Sequence, residues 1–231
     1  MTSALLLPAA VITLLGFRLL FQLCSRWHIP NDLLGMMLLP AACLLAVATA
    51  QVVNHREALS ERLWWNGWNG WTRGNAIHSL GILLLLLPAV WGVNLATVRL
   101  FEFCHWPVSE PVLQTLFRHA DWFTVIRIAF CAVIVAPIVE EIVFRRVLFT
   151  AAGSYLGVGW GVIITALLFA SVHDCRTQMP ALFLLGVLLQ LLFLERRSLA
   201  VPILVHMGNN ALAIGMLILA RIFGWNWVFD L

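Results

Sequence analysis

Lysine is absent from this chain, and all 14 basic residues are arginine. That excludes a Schiff-base lysine, a pyridoxal-phosphate lysine and the lysine of a phosphate-binding P-loop. Charge of either sign is scarce: 11% of the 231 residues are charged, against about a quarter in soluble domains. The net charge of +3 is spread over short loops and leaves no basic patch for nucleic acid. Cysteine is sparse. Cys24, Cys43, Cys104, Cys131 and Cys175 form no CxxC pair, and an odd number in apolar surroundings reads as buried free thiols rather than a disulfide frame or a metal site. An HExxH motif is missing, as are long repeats and low-complexity linkers. No cleavable export signal is expected, because residues 4–17 are apolar but no basic stretch precedes them and Arg18 follows.

Apolar sequence fills the chain instead, at 62% of residues. The composition predicts an all-α, polytopic transmembrane helix bundle with no room for a separate soluble domain. Stretches long enough to cross a ~30 Å hydrocarbon layer predict about seven spans, at 4–24, 33–53, 77–99, 123–150, 158–174, 179–194 and 199–221. Residues 1–122 read as accessory spans and interfacial loops, 123–221 as a catalytic core, and 222–231 as a short tail. Trp64, Trp65, Trp68 and Trp71 form a short iteration at a span boundary, the usual place of an interfacial anchor. Residues 111–123 set Val112, Leu113, Leu116, Phe117, Ala120 and Phe123 on one helical face, which predicts an interfacial helix leading into span four. Arginines divide evenly between the two sides of a seven-span arrangement, so the positive-inside rule does not choose an orientation.

Against this background a few polar residues stand out. Glu140, Glu141 and Arg145 lie on span four, His173 ends span five, and His206, Asn209 and Asn210 lie on span seven. A carboxylate at membrane depth costs several kcal/mol unless it is paired, lines a wet cavity or is held neutral. Lipid offers no partner, so these groups are expected to turn inward and meet. Glu141 and Arg145 are i,i+4 with the acid first, the better order for a helical ion pair. Glu140 is rotated about a quarter turn away and faces the cavity. His206 and Asn210, also i,i+4, present an imidazole and an amide on one face, and Phe169 walls the side of His173.

A desolvated carboxylate beside an imidazole can take a proton from water and return it to a leaving amine. A histidine and an asparagine from another helix can donate to a developing oxyanion. Glu140, Glu141, Arg145, His173, His206 and Asn210 are therefore the candidate catalytic residues of a peptide-hydrolysis site without a nucleophilic serine or cysteine. Taken singly they have blander readings: His173 as a helix-end histidine, Asn210 as interhelical glue, and Glu141–Arg145 as a structural pair.

The chain also resembles the CPBP intramembrane proteases, the CAAX protease and bacteriocin-processing (Abi) family. EExxxR appears as Glu140-Glu141-Ile142-Val143-Phe144-Arg145, FxxxH as Phe169 to His173, and HxxxN as His206 to Asn210, in that order over roughly residues 123–215. Gly186 matches one of the small residues ahead of the last motif. The resemblance implies a glutamate-dependent endopeptidase acting in or beside a membrane. Glu140 would activate water with help from His173, His206 and Asn210 would form an oxyanion hole, and Arg145 would orient the glutamates. Three places depart from the pattern. Arg146 stands where glycine commonly follows the arginine, Gln190 replaces a frequent second glycine, and Arg196-Arg197 stand where Thr-Gly is customary.

No cofactor is expected on the first reading. A second reading adds zinc on Glu140, His173 and His206 with an open fourth position. A third, from another class, is a proton-coupled transporter or a non-catalytic adaptor using the same polar cluster, against which no inverted repeat or paired broken span is visible. The expected partners are the lipid bilayer and a peptide or membrane-protein substrate, and the expected location is a bacterial plasma membrane.

Overall fold

The structure, a computed structural model, describes residues 72–108, 112–173 and 175–225. The expected spans at 4–24 and 33–53, the tryptophan cluster and most of the tail lie outside the described residues. Within them the chain is entirely helical: α1 (Arg73–Phe103), α2 (Val112–His119), α3 (Trp122–Leu156), α4 (Val158–Ser171), α5 (Met179–Arg196) and α6 (Ala200–Phe223). α1, α3, α5 and α6 are long and apolar enough to cross a membrane. α4 is not. Its 14 residues rise about 21 Å at 1.5 Å per residue, so the fifth expected span is shorter than a hydrocarbon layer, and His173 lies beyond its end.

Side-chain placement fits a bilayer rather than water. Leu84, Leu85, Phe123, Ile126, Phe130 and Trp160 point outward and are exposed, where lipid tails replace the missing core partner. Buried hydroxyls close on their own helices, as groups without water must: Ser79 Oγ donates to Asn75 O at 2.7 Å, and Thr97 Oγ1 to Val93 O at 2.8 Å. α1 starts at Thr72, whose hydroxyl oxygen accepts from Asn75 N at 3.1 Å.

α2 stops at His119, and α3 begins afresh with Asp121 as its N-cap. The interfacial element expected over 111–123 is thus two elements with a break. Phe117 is buried with Val125, Ile128, Ile214 and Leu217, while Leu113 and Phe123 stay exposed. Thr124 N donates to Asp121 Oδ1 at 3.0 Å and Thr124 Oγ1 to Oδ2 at 2.7 Å. The backbone N–H and then the hydroxyl hold the Asp121 carboxyl below its ordinary value. Arg221 ties the far end of α6 to this corner, donating to Phe117 O at 3.0 Å and lying over the Trp122 ring at 4.5 Å.

α3, α4 and α5 form consecutive antiparallel neighbours, and α6 packs on α1, α5 and the middle of α3. The α3–α4 turn is one residue, Gly157, at φ +82°, a conformation glycine adopts without strain. The two helices then close so tightly that a Cβ on Gly161 would lie 3.0 Å from the Gly153 Cα and backbone N. Gly161→Ala is expected to cost about 1–3 kcal/mol by overpacking a backbone contact that cannot give way. Thermal unfolding in detergent reads it, with Gly159→Ala as the control, since nothing lies within 4 Å of that position.

Candidate active site

α3 is not uniformly α-helical around its carboxylates. Cys131–Val135 and Ile142–Leu148 are π-helical, and between them lies the α-helical stretch Ala136–Glu141, opened by Pro137. The proline explains the first widening. In the widened turn the Ala136 N–H bonds to Cys131 O rather than to Ala132 O. The next donor, at position 137, is a proline nitrogen with no hydrogen. Ala132 O is left without a donor from its own helix, and Asn210 Nδ2 supplies one from α6 at 2.9 Å. Asn209 Nδ2 in turn donates to Asn210 Oδ1 at 3.2 Å.

Asn210 therefore closes a backbone defect in the helix that carries the glutamates, a contact sequence spacing had not suggested. Its hydrogen bonds go to Ala132 and Asn209, so the structure brings five of the six candidates together and sets Asn210 one contact aside. Asn210→Ala is expected to cost about 1 kcal/mol by leaving a partly buried carbonyl unpaired. Pro137→Ala restores a backbone donor, so in that background the same change should cost less; unfolding of the four proteins of this cycle checks it.

Glu141 and Arg145 are both almost wholly buried, at 0% and 1% side-chain exposure, with Arg145 Nε 3.0 Å from Glu141 Oε2. The Nε–H does not point along that line, so the contact is coulombic rather than a hydrogen bond. Arg145 Nη2 reaches Gly186 O on α5 at 3.4 Å. Its guanidinium lies 4.9 Å over the Phe169 ring and 5.9 Å over Phe144, a cation–π setting that strengthens when desolvated. Gly186 permits this closeness: a Cβ there would meet Ala166 Cα at 3.1 Å and the Phe169 ring at 3.3 Å.

The other oxygen of Glu141 meets His206 Nδ1 at 2.8 Å, and His206 is 2% exposed. An ionised carboxylate only accepts, so Nδ1 carries the hydrogen. His173 is tied in the same sense. Its Nδ1 stands 2.7 Å from Phe169 O, and a carbonyl can only accept. Each imidazole thus spends Nδ1 on a fixed acceptor and turns Nε2 toward Glu140: His206 Nε2 is 3.8 Å and His173 Nε2 is 3.9 Å from Glu140 Oε2. Phe169 walls the group, its ring centroid 4.8 Å from His173 and 5.6 Å from His206. Glu140 is 14% exposed and His173 28%, whereas Glu141 is sealed. The quarter-turn separation of the two glutamates gives one an interior partner set and the other an open face.

Glu140 Oε2 and the two Nε2 atoms face one small space. At 3.8 and 3.9 Å the pairs are too far apart for direct hydrogen bonds. The donor types also match a zinc set. Yet no three His, Cys, Asp or Glu side chains among the described residues are grouped to hold a metal ion.

A helical membrane protein with paired glutamates and two oriented histidines on three converging helices is the class that this fold and site define. The model of the Rce1-like family, type II CAAX prenyl endopeptidase Rce1-like, matches residues 121–212, the segment that carries the site and the CPBP-like motifs. The membrane-embedded CAAX protease MroQ of Staphylococcus aureus (strain USA300) is 33% identical over 87 residues, covering 35% of this chain and 35% of that protein. An uncharacterized 24.3 kDa protein of Escherichia coli is 31% identical over 111 residues, covering 46% of this chain and 51% of its own length. The chain thus spans about a third to a half of these curated relatives. No solved structure matches it. Its spanning helices and bacterial relatives make it a bacterial integral membrane protein.

Proposed function

We propose that this protein is an intramembrane endopeptidase of the CAAX-protease type, hydrolysing a peptide bond in or next to the membrane with Glu140 as general base. The observation that carries the proposal is the convergence of Glu140 Oε2 with His173 Nε2 and His206 Nε2 at 3.9 and 3.8 Å, both rings oriented through Nδ1. In the proposed reaction a water held between Glu140 and His173 gives its proton to Glu140 as its oxygen bonds to the scissile carbonyl carbon. The carbonyl oxygen becomes an oxyanion. His206 meets it when protonated, with Nδ1–H on Glu141 and Nε2–H free to donate, and the second amide hydrogen of Asn210 adds to the same side. Collapse breaks the C–N bond and sends the Glu140 proton to the leaving amine, giving an amine and a carboxylic acid, which then loses its remaining proton to solvent.

Arg145 and Glu141 act as positioning residues, holding His206 by its other nitrogen. The name of the MroQ relative and the family description suggest a substrate cut near a C-terminal CAAX-like sequence at the membrane surface. The short α4, which leaves partly exposed His173 beyond its end, supports entry from that direction.

A reporter peptide anchored by a lipidated cysteine and presented in liposomes tests the reading, with and without excess chelator. Hydrolysis undiminished by chelator supports the glutamate mechanism. Hydrolysis lost to chelation and restored by zinc would favour the metal reading, which draws on the same Glu140, His173 and His206. Proton flux without hydrolysis would favour transport.

A further inference from the structure

Arg145 is the hub of the buried polar network, and its hydrogen bonding is incomplete. Nη2 reaches Gly186 O at 3.4 Å, while Nη1 and Nε have no hydrogen-bond partner among the described residues. A second buried group has the same deficit. Gln190 is 1% exposed, and neither its amide oxygen nor its amide nitrogen has a partner there. An unpaired buried amide or guanidinium hydrogen costs about 1–3 kcal/mol, and two such deficits in one seam point to a shared remedy.

Helix geometry places them side by side. In α5 the Gly186 carbonyl points along the axis toward residue 190, whose N–H is its i+4 partner. The guanidinium that touches Gly186 O therefore lies next to the backbone of Gln190. Side chains on a helix tilt back toward its N-terminus, so residue 190 covers the turn at 186. At Gly186 itself α4 fills the space, with Ala166 Cα and the Phe169 ring within 3.1 and 3.3 Å of where a Cβ would be. Gln190, one turn further along the same face of α5, thus lies on the side of the helix that receives the Arg145 guanidinium.

We propose that Gln190 is a positioning residue for the reaction centre. Its amide oxygen takes up the Nη1 hydrogen of Arg145 through one buried water, extending a chain that runs Gln190, Arg145, Glu141, His206. The role belongs to this chain's own sequence, since it falls on a position where the resemblance leads one to expect glycine. It rests on the protease reading only for its catalytic consequence; the link between Gln190 and Arg145 stands apart from it.

Gln190→Met keeps the volume and removes both polar atoms, so the fold is expected to survive; Gln190→Ala is the second variant should it not. The first readout is hydrogen exchange of the Arg145 guanidinium in ¹⁵N-arginine-labelled protein in micelles, its signal assigned by loss in Arg145→Lys. Exchange is expected to quicken at least tenfold, on the order of one lost hydrogen bond. The second readout is reporter hydrolysis, where kcat should fall severalfold with KM unchanged, because the reaction centre rather than the substrate contact is loosened. Unchanged guanidinium exchange overturns the proposal, whatever happens to activity or melting temperature. Quickened exchange in a protein whose wild type cleaves no reporter sustains the link and rejects the protease reading instead.

Discussion

Glu140→Gln is expected to lower reporter hydrolysis by about 10²–10⁴-fold, the usual worth of a positioned general base, with little change in melting temperature. The argument is one of contacts. Glu140 Oε2 stands 3.8 and 3.9 Å from two imidazole nitrogens and makes no direct hydrogen bond to either. Its side chain is 14% exposed on the open face of α3, so an amide of the same size loses no packing. What disappears is the negative charge that draws a proton from water. Residual activity near that of wild type would mean that Glu140 is not the base. Glu141→Gln separates the two roles: it keeps the shape but removes the charge between Arg145 and His206, so it should lower both stability and rate.

Arg145→Met is expected to destabilise the protein by about 3–5 kcal/mol, the range for removing one partner of a buried ion pair. With Arg145 and Glu141 at 1% and 0% exposure, the surviving carboxylate keeps only the His206 contact at 2.8 Å. Its charge then has no permanent counter-ion. The flat faces of Phe169 and Phe144 also lose the cation stacked over them. The double variant Arg145→Met/Glu141→Leu removes both charges and should recover much of the loss while abolishing hydrolysis, because His206 loses the acceptor that orients it. Unfolding in detergent distinguishes the cases. Equal stability of the single and double variants would show that the pair is not what holds the α3–α5–α6 seam.

These two predictions divide neighbouring glutamates into different kinds of residue, and the division was legible in the chain itself. Glu141 and Arg145 are four apart and Glu140 is not, which is enough to assign the buried pair and the open carboxylate. The inward turn of His173 and His206 was legible for the same reason: lipid has no partner for a polar group, so polar residues in apolar helices meet one another. Less could be read around Asn210. Spacing puts it one turn from His206, but its hydrogen bond goes to Ala132, because Pro137 leaves that carbonyl open two turns ahead of the glutamates. Pro137 was visible in the sequence, but the partner of its missing hydrogen bond was not.

Composition and periodicity determined that the described chain is a bundle of apolar helices and which six residues are out of place in it. Both are local consequences of burying backbone in lipid. Tertiary structure alone decided how those residues are joined. The Nδ1 atoms of two histidines are tied off by acceptors on different helices, leaving both Nε2 atoms to face Glu140. Close approach at Gly161 and Gly186 depends on which helices become neighbours, and so does the burial of Gln190 beside Arg145. Contacts between residues dozens of positions apart follow from packing three helices into one seam, and no pattern within a single helix encodes them.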